Sequence, residues 1–187
     1  MFRRHLRSKT GLTRSNPFCP RLVQLEDRTT PATFVVTNAV DGGTGSLRDA
    51  INLANANPDA DTIVFAPALA GATINLTTVG DTSIGPSGLI VSAPVTIAGT
   101  GQTITRPAAS PEFRLFAVAL GGGLTLQNLT LSNGIARGGA GVAAAGGAAG
   151  LGGAVYNIGS LSITGCTLTG NQAIGGSAIA GGSSSYH

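Results

Sequence analysis

Residues 124–134 read LTLQNLTLSNG and residues 161–171 read LSITGCTLTGN, and this pair of segments indicates the fold. Both place apolar residues at the same offsets, fill most positions between them with Thr or Ser, and end in Asn-Gly or Gly-Asn. A period of two is typical of a strand with one buried face, while Asn and Gly are typical of turns. The pair therefore predicts short strands that repeat. The matched apolar residues are Leu124, Leu126, Leu129 and Leu131 in the first segment and Leu161, Ile163, Cys166 and Leu168 in the second.

The spacing of these segments predicts a period near twenty residues. The segments begin 37 positions apart, and a glycine- and alanine-rich tract at 138–153 lies between them. Removing the 16 residues of this tract leaves 21, which is also the separation of Ile74 from Val95. Short strands and turns repeated at this length are typical of the coils of a β-solenoid. We therefore expect an all-β solenoid from which the tract projects as a mobile loop.

Composition and charge agree with stacked coils. Charged residues make up 10% of the 187 residues and hydrophobic residues 42%, whereas about a quarter of an ordinary domain is charged. Disorder is the other interpretation of 29 glycines, but the high net charge and low hydropathy typical of disorder are both missing. Seven of the eleven Lys and Arg residues precede residue 29, and the rest of the chain is mildly acidic. No basic face is predicted, and nucleic acid is not an expected partner.

The chain divides into three predicted parts. Residues 1–31 form a basic leader, interpreted as a disordered export segment. Residues 32–65 form an N-terminal cap made of one strand and one helix, and residues 66–187 form the coils with a Gly/Ala-rich loop at 138–153. No run of 18 or more apolar residues occurs, so no transmembrane helix is predicted.

The cap is predicted from an amphipathic helix that begins at Ser46. Asp49 follows three residues later, as in a capping box, and Leu47, Ile51 and Ala54 fall on one helical face. Because a solenoid exposes an apolar end unless an element covers it, we expect this helix to lie across the first coil with Leu47 and Ile51 buried. The alternative is an ordinary helix that packs on a sandwich of strands.

Three stretches of the chain resemble known exported proteins. The stretch TFVVTNAVDGGTGSLRDAINLANANPDADTIVF at 33–65 resembles the SLREA-type N-terminal motif of bacterial right-handed parallel β-helix surface proteins. GLGGAVYN at 150–157 and LTGNQA at 168–173 resemble the repeats of polymorphic outer-membrane proteins, and VQLEDRTTPA at 23–32 resembles a segment near the start of large exported proteins.

The resemblance implies a pectin-lyase-like fold and a location at the cell surface, in the outer membrane or outside the cell. It does not imply lyase activity. Because proteins of this family usually run far longer, we expect this chain to be an incomplete N-terminal portion.

No catalytic, cofactor-binding or metal site is predicted. A polysaccharide lyase or hydrolase on such a fold needs carboxylates gathered on one face, but Glu112 is the only acid beyond Asp81. Asp59 and Asp61 follow a proline, and we interpret them as turn residues rather than calcium ligands. Glu112 and Arg114 are expected to form a surface ion pair.

Histidine and cysteine add no site either. His5 lies in the leader and His187 is the last residue. Cys19 and Cys166 give no disulfide framework, and Cys166 occupies the position of Leu129, so we expect it to be buried as a small hydrophobic residue.

The sequence favours a non-catalytic structural or adhesive segment of an exported cell-surface protein. Its expected partners are cell-surface polysaccharide or other cell-envelope proteins, and its last coil is expected to self-associate through an open edge. The alternative is a polysaccharide-binding or lyase-like carbohydrate-active β-helix that uses rows of Thr, Ser and Asn. Two Tyr and no Trp leave few aromatic platforms for sugars, which favours the first function.

Overall fold

The computed structural model describes residues 30–142 and 145–178, and within them the protein is mostly β-structure. These residues form fourteen strands, one α-helix (α1, Leu47–Asn55) and a 3-10 turn at Pro67–Leu69. All ten pairings between the strands are parallel, so the predicted all-β class is confirmed. Residues 1–29, which make up nearly all of the predicted leader, lie outside the described part of the chain. The strands are β1 Thr33–Val36, β2 Asp61–Phe65, β3 Thr73–Asn75, β4 Ser87–Val91, β5 Pro94–Ala98, β6 Thr103–Thr105, β7 Arg114–Val118, β8 Gly123–Gln127, β9 Thr130–Ser132, β10 Ile135–Arg137, β11 Val155–Asn157, β12 Ser160–Thr164, β13 Thr167–Thr169 and β14 Gln172–Ile174.

The strands belong to four parallel sheets. Sheet 1 has the order β1-β2-β5-β8-β12, sheet 2 the order β13-β9-β6-β3, sheet 3 the order β11-β7-β4, and sheet 4 pairs β10 with β14. From β2 to β12 the chain enters sheet 1, then sheet 2, then sheet 3, and then returns to sheet 1; the two strands of sheet 4, β10 and β14, follow the sheet 2 strands β9 and β13. Neighbouring strands in a sheet therefore come from successive passes of the chain.

The repeat is longer than the sequence predicted. Ile74 pairs with Ile104, 30 positions further on, and Val95 pairs with Leu124, 29 positions further on. Ile74 lies in sheet 2 and Val95 in sheet 1, so their separation of 21 is not a period, and that prediction is wrong. The physical reason is that a pass such as β2 to β4 contains three strands and the connections between them. The quoted segments contain only two of these strands, so the period estimated from them is too short.

The two quoted segments pair with each other at their full separation. Leu124 pairs with Leu161, Leu126 with Ile163 and Leu131 with Leu168, each 37 positions apart. The tract at 138–153 is thus part of the pass between them.

Backbone hydrogen bonds hold this tract against its neighbours. No strand is assigned to its described residues, but the Gly138 N–H donates to the Ile174 carbonyl at 2.8 Å and the Gly176 N–H donates to the Ala148 carbonyl at 2.8 Å. At Gly150 an added Cβ would lie 2.6 Å from the Ala136 carbonyl oxygen, closer than real Cβ atoms approach. Described residues of the tract therefore pack directly on the backbone next to β10 and β14, whereas its composition suggested a loop that projects from the fold; its mobility stays a prediction.

The helix α1 forms where the capping pattern placed it. The Ser46 hydroxyl accepts the Asp49 N–H at 3.1 Å, and the Asp49 carboxylate accepts the Gly45 N–H at 2.9 Å, one residue before the cap. Leu47 and Ile51 are buried, as predicted. The helix packs against β1, β2, β4 and β5.

The core consists of apolar rows that run across the sheets. In sheet 1, Ile63, Ile97, Leu126 and Ile163 are paired partners on four consecutive strands. The first three are buried, but Ile163 on the last strand is 39% exposed. Sheet 2 repeats the arrangement with the row Ile74, Ile104, Leu131 and Leu168.

Candidate functional site

Sheet 1 presents a row of hydroxyl groups on its outer face. Thr62, Thr96, Thr125 and Ser162 are paired partners on β2, β5, β8 and β12. Adjacent parallel strands lie about 4.7–4.9 Å apart, so the hydroxyls repeat at roughly that distance. We call these four residues the sheet 1 hydroxyl row. A shallow cavity of about 300 Å³ opens along it, lined by Thr96, Thr125, Ser162 and neighbouring residues.

Sheet 2 carries a second row, made of Thr73, Thr103, Thr130 and Thr167. A cavity of about 390 Å³ lies beside it, where the chain turns from sheet 1 into sheet 2, and includes Thr130 and Thr167 in its lining. Apolar and hydroxyl-bearing residues alternate along these strands, and successive side chains of a strand point to opposite faces of its sheet. The hydroxyl rows are therefore the outer counterpart of the apolar rows.

The two aspartates that the sequence analysis placed in a turn differ in position and contacts. Asp61 is buried at the start of β2 rather than in the preceding turn, which corrects the prediction for this residue. Its Oδ1 accepts the Ala32 N–H at 2.7 Å and the Asn57 side-chain amide at 2.8 Å. Asp59 lies in the turn, as predicted, and one oxygen of each carboxylate is buried without a hydrogen bond among the described residues. Asp81 also orders a turn, since its Oδ1 accepts the Ser83 N–H at 2.9 Å.

A charged cluster that the sequence did not suggest joins α1 to the segment after β3 and to β4. Asp41 pairs with the Arg48 guanidinium at 2.5 Å and accepts the Thr78 N–H at 2.9 Å and the Thr78 hydroxyl at 2.6 Å. Arg48 also donates to the Gly88 carbonyl. Burial by itself raises the pKa of Asp41, but the hydrogen bonds from Thr78 and Arg48 outweigh it, and the pKa lies below its ordinary value. The Arg of the SLRDA segment thus has a structural role, which its helix position alone does not reveal.

Glu112 pairs with a different arginine from the one predicted. Arg137 makes a bidentate pair with it, with Nε–Oε2 at 2.6 Å and Nη2–Oε1 at 2.8 Å, and both side chains are exposed. Hydrogen bonds from Arg137 lower the pKa of Glu112, and the charges of Arg137 and Arg106 act in the same direction. The predicted Glu112–Arg114 pair is therefore wrong. The physical reason for this difference is that Arg114 lies in the buried strand β7, whereas Arg137 is the last residue of β10 and lies near the exposed Glu112.

Arg114 is 7% exposed and has little hydrogen bonding for a buried cation. Its Nη1 donates to the Ile84 carbonyl at 2.6 Å, and its Cζ lies 4.9 Å from the centre of the Tyr156 ring. Its buried Nε has no acceptor among the described residues. Burial lowers the pKa of Arg114. Tyr156, one of the two tyrosines, thus stacks on a cation and is not a free platform for a sugar.

Cys166 is half-buried and not in a disulfide. Its sulfur accepts the Leu129 N–H at 3.4 Å and the side chain packs against the core, so the predicted apolar environment is found but full burial is not. The reason is that β12 and β13, which flank it, are the last strands of their sheets. His5, Cys19 and His187 lie outside the described residues.

Three observations bear on function beyond these contacts. Within residues 30–142 and 145–178, no group of three or more His, Cys, Asp or Glu side chains is placed to hold a metal ion. No helix in the same part of the chain has the length and apolar character needed to span a bilayer. Comparison with protein-family models, with curated proteins and with solved structures finds no match to this chain.

Proposed function

We propose that this chain is a non-catalytic structural or adhesive segment of an exported bacterial cell-surface protein. In this proposal the four sheets are faces of a right-handed parallel β-helix of the pectin-lyase-like kind, and α1 caps its first coil. The recurring order of sheets 1, 2 and 3 along the chain supports this arrangement, because each of the passes that begin with β2, β5 and β8 adds one strand to each of these sheets. The packing of α1 on β1, the first strand of sheet 1, supports the cap.

The observation that carries the proposal is the in-register stacking of like residues through successive passes. Apolar rows run inside and hydroxyl rows outside, so each pass contacts mainly the preceding and following ones. A stack of this kind is stiff along its axis and extends by addition of passes, which suits a stalk that presents other parts of a protein away from a cell.

Surface labelling of intact cells tests the proposed location. An antibody against residues 30–178 should detect protein that is biotinylated by a membrane-impermeant reagent on intact cells of the producing bacterium. A cytoplasmic protein of the same cells serves as the control for lysis. Labelling only after lysis would contradict export and with it the proposed function.

A second candidate function is the binding of a neutral polysaccharide along the sheet 1 hydroxyl row. The cavity of about 300 Å³ on this row favours it, because the aligned hydroxyls offer hydrogen bonds at a constant repeat. A glycan array tests it with the wild type and with a Thr96→Val, Thr125→Val variant. Binding that this variant loses, and that Thr73→Val in sheet 2 retains, would favour polysaccharide binding over a purely structural role.

Lyase-like activity belongs to the same alternative and needs its own assay. We expect no cleavage of pectin, alginate or another uronate polymer, with or without Ca²⁺. An increase in absorbance from an unsaturated uronide, abolished by Glu112→Gln or Asp81→Asn, would contradict the non-catalytic proposal.

A further inference from the structure

A small cavity lies beside the buried guanidinium of Arg114. Its volume is about 230 Å³, and its lining consists of Pro86, Glu112, Arg114, Ile135, Ala136 and Arg137. Gly85 brings the preceding loop onto the guanidinium, since a Cβ added at Gly85 would lie 3.1 Å from Arg114 Nη2. The cavity therefore combines a buried cation with an ion pair and three apolar residues.

The charges around this cavity do not balance. Both oxygens of Glu112 are engaged by Arg137, so this pair is neutral as a unit. Arg114 has no carboxylate partner among the described residues and makes its one hydrogen bond to the Ile84 carbonyl. A buried guanidinium with free donors is costly unless an acceptor reaches it. The Tyr156 ring offsets part of this cost but accepts no hydrogen bond from Nε.

We propose that the Arg114 cavity binds a small organic carboxylate. A carboxylate can accept two parallel hydrogen bonds from the planar guanidinium group, and its negative charge neutralises that of Arg114. Pro86, Ile135 and Ala136 supply apolar surface for the hydrocarbon part of the ligand, which a phosphate or sulfate ion lacks. The volume is below the usual range of about 300–1,000 Å³ for ligand pockets and suits a ligand with few non-hydrogen atoms. This inference does not rest on the proposed function of the whole chain.

Glu112 is then expected to weaken the binding of an anionic ligand in this cavity. Its carboxylate is the one acid in the lining, and it both repels an anionic ligand and occupies the donors of Arg137. Removal of its charge should strengthen carboxylate binding, whereas loss of the Arg114 charge should weaken it. A surface that binds ligands non-specifically would not show opposite changes in affinity for these two substitutions.

Titration of the full chain with benzoate, followed by amide chemical shifts in NMR, tests the proposal. We expect saturable shifts at Gly85 and Arg114, no comparable shifts with benzamide, the neutral analogue of benzoate, and weaker binding of inorganic phosphate. Arg114→Gln should weaken benzoate binding about tenfold or more, since a hydrogen bond to a charged group is lost. Glu112→Gln should tighten it about two- to fivefold, as for release of an exposed ion pair.

Several results would overturn the proposal. Equal binding of benzamide would show that the charge of the ligand is irrelevant, and equal binding of phosphate would show a general oxyanion site without selectivity for organic acids. If Arg114→Gln does not fold, as judged by loss of amide shift dispersion, the benzoate affinity of Glu112→Gln alone tests the proposal. Unchanged or weaker benzoate binding by Glu112→Gln would then contradict the assignment.

Discussion

Asp41 illustrates how one carboxylate can join separate parts of the chain. It receives hydrogen bonds from Arg48 on α1 and from Thr77 and Thr78 after β3, so it joins the helix to the segment that follows β3. Its side chain is 14% exposed, and its hydrogen bonds are therefore less screened by water than those of a surface pair. Asp41 is thus expected to contribute to stability in a pH-dependent way.

Substitution of Asp41 predicts a measurable change in pH dependence. Its pKa in the folded protein lies below the ordinary value of 3.8, so its contribution is present above pH 3.8 and is lost as the pH falls further, through the folded-state pKa. Urea unfolding followed by circular dichroism should show a lower free energy of unfolding for Asp41→Asn at neutral pH. The variant should also lose less stability than the wild type between pH 4 and the acid limit. Equal slopes for Asp41→Asn and wild type would contradict the prediction.

Four residues in the quoted segments explain why Asn or Gly follows each of their strands. Asn128 and Asn133 have φ of 53° and 61°, and Gly165 and Gly170, 37 positions later, have φ of 65° and 64°. These values lie in the left-handed region, which Gly adopts freely and Asn adopts at lower cost than other residues. The left-handed residues follow the strands of sheets 1 and 2 and turn the chain at the same place on successive passes.

The helix α1 contributes to stability through one face. Ile51 is buried in the core, whereas Leu53 on the same helix is 49% exposed. Ile51→Ala should lower the free energy of unfolding by about 2–5 kcal/mol, because it leaves a cavity between the helix and the sheets. Leu53→Ala should change it by about 0.5 kcal/mol or less. Chemical denaturation measures both, and equal effects would contradict the packing of α1 described above.

The Gly/Ala-rich tract is expected to tolerate side chains at some glycines and not at others. At Gly150 a Cβ would clash with the carbonyls of Ala136 and Ile174, whereas at Gly139 it would meet no atom within 4 Å. Gly150→Ala should therefore cost about 1–3 kcal/mol, the range for overpacking. Gly139→Ala is the matched control and should be near neutral. Thermal unfolding compares the two, and a neutral Gly150→Ala would show that the tract does not pack on β10 and β14.

Every sheet ends on the same side of the molecule. Strands β11, β12, β13 and β14 each have a single neighbour among the described residues, and they are the last four strands along the described part of the chain. Ile163 and Leu168, which continue the buried rows, are 39% and 49% exposed there. Unpaired strand edges next to apolar side chains favour pairing with another chain.

Self-association of the 187-residue chain through this edge is the resulting prediction. Light scattering should detect dimers or larger species that increase with protein concentration. Leu168→Lys should shift the population toward monomer, because a charge opposes edge pairing. Leu120→Lys, at a position 83% exposed in the turn before β8, should have no such effect. A monodisperse monomer of the wild type would contradict the prediction.

Local patterns in the amino-acid sequence were sufficient to predict the strands of the two quoted segments, the helix α1 and the side chains that β8, β9 and α1 bury. Alternation identified Leu124 and Leu126 as inward-facing, and the Ser46–Asp49 spacing identified the start of α1, because both patterns reflect contacts within a few residues. The same patterns also predicted that the segments at 124 and 161 are equivalent, and their pairing confirms it.

The length of the repeat and the charged contacts depended on the tertiary structure. The period was misjudged because Ile74 and Val95 look alike in sequence, although a complete pass includes a third strand between equivalent positions. The partner of Glu112 and the unbalanced charge of Arg114 were hidden for a related reason. The Glu112–Arg137 pair joins residues 25 positions apart, and the hydrogen bond from Arg114 to Ile84 joins residues 30 positions apart. Their proximity is set by the stacking of successive passes and not by any spacing along the chain.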